Sequence, residues 1–248
     1  MDYTLNADVE QMKSEREKIT NMLFRFMELQ GYTRKKPGRQ SYILDSYYFT
    51  YVNTVGNKDH IKFDINYVMR SHIYKVESRP IVSKAFEVES GVNALSSIEI
   101  YGSKINALNN RVAVRDLYDV WTLVQSGKLN DQKEKLRKAV IFYHVLTSDE
   151  VSGNFDLLAT NKLSQHSILR ELVPVLKKGE FFILKDALEL VRGFVTELMD
   201  LAVDELAFIK NFNNGDYYPE LLFNDSEVIS RIIGHPMARW KVGKLKKL

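Results

Sequence analysis

The chain of 248 residues contains no cysteine. Disulfides and cysteine-ligated zinc are therefore excluded, and a reducing compartment is compatible with the sequence. Histidine is scarce as well. His60, His72, His144, His166 and His235 are scattered without ligand spacing, which argues against a structural zinc site. Only 12 glycines and 5 prolines occur, with no internal repeat or low-complexity tract, so the chain reads as neither fibrous nor disordered. No apolar run approaches membrane-spanning length, and the N-terminus lacks a basic region followed by an apolar one. Cytoplasmic location, with no membrane partner, is the default expectation. The net charge of +3 is too small to announce nucleic-acid binding without a local patch.

What is present is an ordinary globular composition, 45% hydrophobic and 27% charged, long enough for a substantial core in one large domain or two small ones. From Asp8 to about Gln30 the pattern is helical, with Met12, Ile19, Met22, Leu23, Phe26, Met27 and Leu29 as the apolar stripe. Asp8 and Gln11 offer a capping box, and Gly31 offers a stop. A basic loop, Arg34 to Arg39, follows. Two strand-like runs, Tyr42 to Val55 and His60 to Arg70, are joined at Gly56 to Asp59 as a hairpin, and a third extended segment is expected within 82–92. Helices are then expected at Ser97 to Asn109, Val114 to Gln125, Asp131 to Thr147 and, as the longest, Leu184 to Asn211. Shorter ones fill Ser164 to Lys177 and Ser226 to Ile233. The expected architecture is α+β: a sheet with flanking helices over residues 1–125, then a helical bundle over 126–248.

Two charged groups carry candidate chemistry. In Ile61-Lys-Phe-Asp-Ile-Asn-Tyr67 strict alternation puts Ile61, Phe63, Ile65 and Tyr67 on one face and Lys62, Asp64 and Asn66 on the other. An acid on the open face of such a strand suits a metal or a hydroxyl in a cleft, and equally suits a face that simply sees water. The second group, Lys104 to Arg111 followed by Arg115-Asp116-Leu-Tyr-Asp119, sets cations and carboxylates on helices as a phosphate site requires. Arg115 and Asp119, four apart, also have the spacing of a surface ion pair. Both readings are open at this level. The C-terminal Arg239-Trp-Lys-Val-Gly-Lys-Leu-Lys-Lys-Leu248 could meet an RNA backbone with Trp240 as a stacking platform, but its composition favours a frayed, solvated tail. The run Tyr47, Tyr48, Phe49, Tyr51 favours sheet packing over base stacking.

Glu99-Ile-Tyr-Gly-Ser-Lys104-Ile-Asn-Ala-Leu-Asn-Asn-Arg111 with Arg115-Asp-Leu-Tyr-Asp119 resembles the signature of the AbiEii/AbiGii nucleotidyltransferase toxins, and Ile61-Lys-Phe-Asp64-Ile-Asn66 is similar to the family's strand bearing its third acidic residue. The resemblance implies a DNA polymerase β-like enzyme of a bacterial toxin–antitoxin or abortive-infection (phage-defence) system. Such an enzyme uses magnesium to transfer a nucleotide from a nucleoside triphosphate to an acceptor such as tRNA, and an antitoxin encoded alongside restrains it. Carried over, Asp64, Lys104 and Asp116 are the catalytic candidates, with Lys104 on the triphosphate. Arg111, Arg115 and Asp119 support substrate binding, and Asp2 and Asp64 are the metal candidates. The family's Gly-Ser turn and the first aspartate of its Asp-x-Asp pair have no counterpart, and on the resemblance they would lie before Met1, leaving a truncated mixed sheet with an exposed edge. Two expectations follow: a nucleotidyltransferase toxin, or a catalytically inactive relic keeping a binding role for antitoxin, RNA or nucleotide.

Overall fold

Asp8 starts the first helix by accepting a hydrogen bond from the Gln11 amide at 2.8 Å, which satisfies one of the otherwise orphaned N–H groups. The computed structural model describes residues 8–82, 90–148, 151–155 and 157–246, with backbone alone for 36–40. Helix α1 spans Val9–Leu29. Only half of the expected capping box forms, because the Gln11 side chain turns to Glu15 at 3.4 Å instead. The helix stops where Gly31 adopts φ +81. There the Gly31 amide donates to the Glu28 carbonyl and that of Tyr32 to Met27, each at 3.0 Å, which is a Schellman ending.

The chain divides into two compact units, Met1–His72 with Gly234–Met237 and Ile73–Ile233 with Ala238–Leu248. In the first, β1 (Thr33–Gln40), β2 (Leu44–Val52) and β3 (Lys58–Asn66) form an antiparallel sheet in that order. The segment expected as a basic loop is thus an edge strand. Its register with β2 shifts between Lys35 and Arg39, where Pro37 and Gly38 lie, and an irregular edge is where a residue without an N–H is tolerated. The hairpin turn comes slightly earlier than expected. The Asn53 side chain accepts from the Val55 and Asn57 amides at 3.1 and 3.0 Å, and Gly56 takes φ +85. Met12 and Met27 of α1 bury against Tyr47, Phe49, Ile65 and Tyr67, with Ile19, Leu23, Phe24 and Phe63 around them. Met22, Phe26 and Leu29 remain exposed, since the apolar residues of α1 spread over more of its circumference than one sheet face can cover.

In the second unit, β4 (Glu77–Pro80) pairs antiparallel with β5 (Gly91–Ala94). The extended segment expected within 82–92 falls largely outside the described residues. Helix α2 runs Ser97–Arg111, α3 Val114–Ser126 and α4 Lys133–Thr147. Every residue of α4 from Ala139 to Leu146 is buried, so α4 is the central helix of this unit. A single turn, α5 (Gln165–Ser167), leads into a wider turn at Ile168–Leu172 and a tighter one at Val173–Val175. Two helices, α6 (Leu184–Leu198) and α7 (Val203–Asn213), replace the single long one expected. The break has a cause that hydrophobic periodicity does not carry. The Glu205 carboxylate accepts from the Ala202 amide at 2.8 Å and from Arg137 Nε at 2.9 and 2.8 Å, which restarts the helix at that point. After α8 (Ser226–Ile232) comes α9 (Pro236–Leu245), a helix over most of the segment expected as a frayed tail. The fold is α+β, as expected, and among the described residues both sheets are antiparallel.

Two features of the second unit make testable demands. A Cβ added at Gly102 would lie 2.7 Å from the Ala139 Cβ and 3.2 Å from its carbonyl carbon, so α2 and α4 cross at a distance that only glycine permits. Overpacking of this kind costs about 1–3 kcal/mol, against about 1 kcal/mol of helix propensity recovered by alanine. Gly102→Ala should therefore lower the thermal midpoint. The second feature is His144, where burial first, and the Lys241 ammonium next, push the ring from 6.5 down to about 4. The unfolded chain takes up that proton near its ordinary value while the folded chain resists. Stability is therefore full above about pH 6.5 and falls as the pH drops toward 4, by up to about 3 kcal/mol. Denaturant titrations across this range should show a smaller loss for His144→Asn than for the natural chain.

Candidate active site

On β3 the alternation turns Phe63 and Ile65 into the core shared with α1 and leaves Lys62 and Asp64 on the opposite face. The Asp64 side chain is 41% exposed, with Lys62 Nζ 2.7 Å from its Oδ2. Ser46, directly opposite in the β2–β3 register, donates its hydroxyl to Oδ1 at 2.5 Å. The Lys62 ammonium, and then the Ser46 hydroxyl, hold the Asp64 carboxyl below its ordinary value, so it is ionised at neutral pH. Lys62 Nζ also lies 5.7 Å from the centroid of the Tyr48 ring, its cross-strand neighbour. Asn66, on the same alternation, turns its side chain back to cap the Val68 and Met69 amides at 3.0 and 3.1 Å.

The second candidate group occupies the corner between α2 and α3. Val112 turns the chain there with φ 51, a left-handed conformation that costs a non-glycine residue roughly 1–2 kcal/mol. Arg111 spans the turn, donating Nε and Nη2 to the two oxygens of Asp116 at 2.6 and 2.7 Å. Asp116 is 1% exposed and Arg111 64%, so the anion is buried and the cation covers it. Its place in the first turn of α3 adds a favourable interaction with the helix dipole. Lys104, on α2, pairs with Asp119, on α3, at 2.7 Å, and these side chains are 38% and 35% exposed. Arg115 does not form the expected i,i+4 pair. Its Nε donates instead to the Glu171 carbonyl at 2.7 Å, and Asp119 has gone to Lys104.

The corner is held by groups that motif spacing alone does not reveal. Glu99 is buried on α2 and accepts from the Ile73 and Tyr74 amides at 2.8 and 3.2 Å and from the Tyr143 hydroxyl at 2.6 Å, so it fixes the chain entering this unit. Asn106 donates to Thr147 Oγ1 at 2.7 Å, which ties α2 to the end of α4. In the first unit a pocket of about 250 Å³ is lined by Lys13, Arg16, Glu17, Thr20 and Asp45. There Arg16 is committed to the fully buried Asp45 and to the Ser41 carbonyl. Sequence reasoning missed Ser46 as the partner of Asp64, although counting back across the hairpin from its turn would have found it. Asp2 lies outside the described residues.

The sites on the strand and at the helical corner fall within one family match. The model of the family described as nucleotidyl transferase AbiEii toxin, type IV toxin–antitoxin system, matches residues 2–192. The chain belongs to this family. The match takes in the Asp64 strand and the whole Lys104–Asp119 block, and it ends within α6. No curated protein and no solved structure matches the chain.

For an AbiEii-family protein the implied divalent metal has to be tested against the side chains. Among the described residues no cluster of three or more histidines, aspartates or glutamates could hold one. Among the described residues Asp64 has a cation, Lys62, at its side and is not part of a carboxylate cluster. The described residues therefore do not by themselves make a magnesium site. Among the described residues no helix is long and apolar enough to cross a membrane. The corner predicts a contrast. Asp116→Asn should cost about 1.5–3 kcal/mol, because a buried charge-assisted pair is broken. Asp119→Asn should cost at most about 1 kcal/mol, because its pair faces water. Urea denaturation of both variants measures the difference, and equal losses would mean that both pairs serve the fold alone.

Proposed function

We propose that this AbiEii-family toxin is a nucleotidyltransferase that moves a nucleotide from a nucleoside triphosphate to a hydroxyl of an acceptor such as tRNA, with magnesium as the expected cofactor and a co-encoded antitoxin as its partner. Residues 1–125 form the nucleotidyltransferase-like region in this proposal and 126–248 the bundle. The acceptor oxygen attacks the α-phosphorus, the bond to the bridging oxygen breaks, and pyrophosphate leaves. Asp64, ionised and accessible, takes the proton of the attacking hydroxyl. Lys104 exchanges Asp119 for a phosphate oxygen of the triphosphate, an exchange made cheap by the small value of an exposed ion pair. Asp116 and Arg111 position this lysine by fixing the α2–α3 corner, and Arg115, anchored on Glu171, supports the same corner. Asp2, which lies outside the described residues, and Asp64 are the carboxylates proposed to ligate the metal.

The observation that carries the proposal is the family match, which spans the strand of Asp64 and the block from Lys104 to Asp119. One observation favours a second reading, that of an inactive family member keeping a binding role for antitoxin, RNA or nucleotide. Among the described residues the carboxylates at the candidate positions are matched with cations, and none of them gathers into a metal cluster. Incubation of the full chain with radiolabelled triphosphates, magnesium and bulk tRNA separates the two. Label in the acceptor is the expected result, and its complete absence with all four nucleotides would favour the inactive member. Asp64→Ala and Lys104→Ala should each abolish transfer with the thermal midpoint nearly unchanged, whereas a parallel loss of stability would return both residues to structural roles.

A further inference from the structure

The cations near the C-terminus have no part in the proposed transfer, and the family match stops before them at residue 192. Their helix is nonetheless firmly seated. Lys241 is turned inward and buried, donating Nζ to the Val145 carbonyl at 2.7 Å and to that of Ser148, where the C-terminal end of α4 gathers partial negative charge. Ala238 and Val242 are buried beside it. This anchoring fixes what α9 presents outward, namely Arg239, Trp240 and Lys244. The indole is 58% exposed. Lys244 Nζ stands 5.7 Å from the centroid of the indole ring. Arg239 is pre-positioned by donating Nε to the Ile233 carbonyl at 3.0 Å, with its guanidinium 5.9 Å from the Tyr217 ring centroid. No acidic residue occurs after Glu227.

We propose that the outer face of α9 binds a single-stranded segment of nucleic acid, with a base stacked on Trp240 and flanking phosphates on Arg239 and Lys244. An exposed planar ring between fixed cations is the arrangement that single-strand binders use, because every base has a face to stack and every linkage carries a charge. A lipid surface would need an apolar stripe to bury. Here Ala238 and Val242 face the core, Pro236 and Met237 one turn before the ring are half-buried, and the exposed neighbours one turn after it are Gly243 and Lys244, so no continuous apolar stripe faces outward. As a statement about the acceptor, the proposal rests on the transferase reading. As a binding surface, it is measured without it.

The test is fluorescence anisotropy of the full chain with a labelled single-stranded oligoadenylate RNA of about twelve nucleotides, enough to cover one such face. Trp240→Ala should weaken binding about tenfold or more while Trp240→Phe retains most of it, since the loss belongs to stacking. Lys244→Ala should weaken binding and reduce the slope against salt by about one. Lys128→Ala, which removes an exposed cation between α3 and α4, should leave both unchanged. Unaltered thermal midpoints would show that these variants are folded. RNA bound equally tightly by Trp240→Ala, or weakened as much by Lys128→Ala, would overturn the proposal. Trp240-dependent binding of phosphatidylserine vesicles without RNA binding would overturn it too. Trp240-dependent RNA binding without any nucleotide transfer would uphold this surface while removing the transferase reading. Transfer to an acceptor without RNA affinity would remove this surface alone.

Discussion

A valine held at φ 51 between two helices persists only if the surrounding contacts favour that turn over the alternatives. The bidentate bond from Arg111 to the buried Asp116 supplies that preference, since it joins the residues on either side of the turn. The angle between α2 and α3 follows from this clamp, and with it the approach of Lys104 to Asp119. Helix α2 is itself located by three independent constraints: the glycine-only crossing at Ala139, the Asn106 bond to Thr147, and the Glu99 carboxylate on the chain at residues 73 and 74. The candidate lysine is thus a long, partly exposed side chain rooted on a precisely located backbone. A phosphate-handling site needs that combination.

Two physical kinds of ion pair bear on the fold and the candidate site. Asp45 with Arg16, Asp116 with Arg111, and Glu205 with Arg137 each bury the anion almost completely under an arginine, which donates through two nitrogens in the first two pairs and through Nε to both oxygens in the third. Removing the arginine in such a pair strands a desolvated carboxylate, which makes these pairs fixtures of the fold. Asp64 with Lys62 and Asp119 with Lys104 pair an exposed lysine with an accessible carboxylate. A lysine ammonium is a point charge without a preferred plane, and in water such a pair contributes about 0–1 kcal/mol. The division therefore separates charges that hold the molecule from charges that can exchange partners. It assigns Asp116, named from the family motif, to a different physical class from Asp64 and Lys104.

Much of this was legible in the sequence wherever one hydrophobic period runs without interruption. The alternation at Ile61 to Tyr67 gave the face of Asp64, and the stretches from Val9, Ser97, Val114 and Lys133 emerged as helices close to their expected bounds. The failures share a cause: a polar group decides the structure where the apolar pattern is silent or misleading. Glu205 breaks a helix through an apolar repeat that continues unbroken from Leu198 to Leu206. Lys241 seats a helix in a segment whose composition reads as a solvated tail. Arg34 to Arg39 pair with β2 although proline, glycine and cations argue for a loop, because an edge strand needs only one satisfied side. At the candidate site the identities of the charged residues were visible, but their partners were not. Lys104 and Asp119 stand fifteen positions apart and meet only because of the clamp at Val112.

In the proposed transfer Lys104 leaves the carboxylate of Asp119 for a phosphate oxygen. An unpaired ammonium of this reach would collect an acid within its radius, and the informative quantity is how strongly it is held. The Lys104–Asp119 pair is more than a third exposed on both sides and has a single contact at 2.7 Å. A charge-assisted hydrogen bond to a phosphate oxygen contributes about 1.5–3 kcal/mol, more than such a pair loses when it opens. The balance therefore lies toward exchange at Lys104 and against it at Arg111, whose departure would leave Asp116 buried and charged. In the proposed transfer, triphosphate recognition therefore falls to the lysine and rigidity of the corner to the arginine.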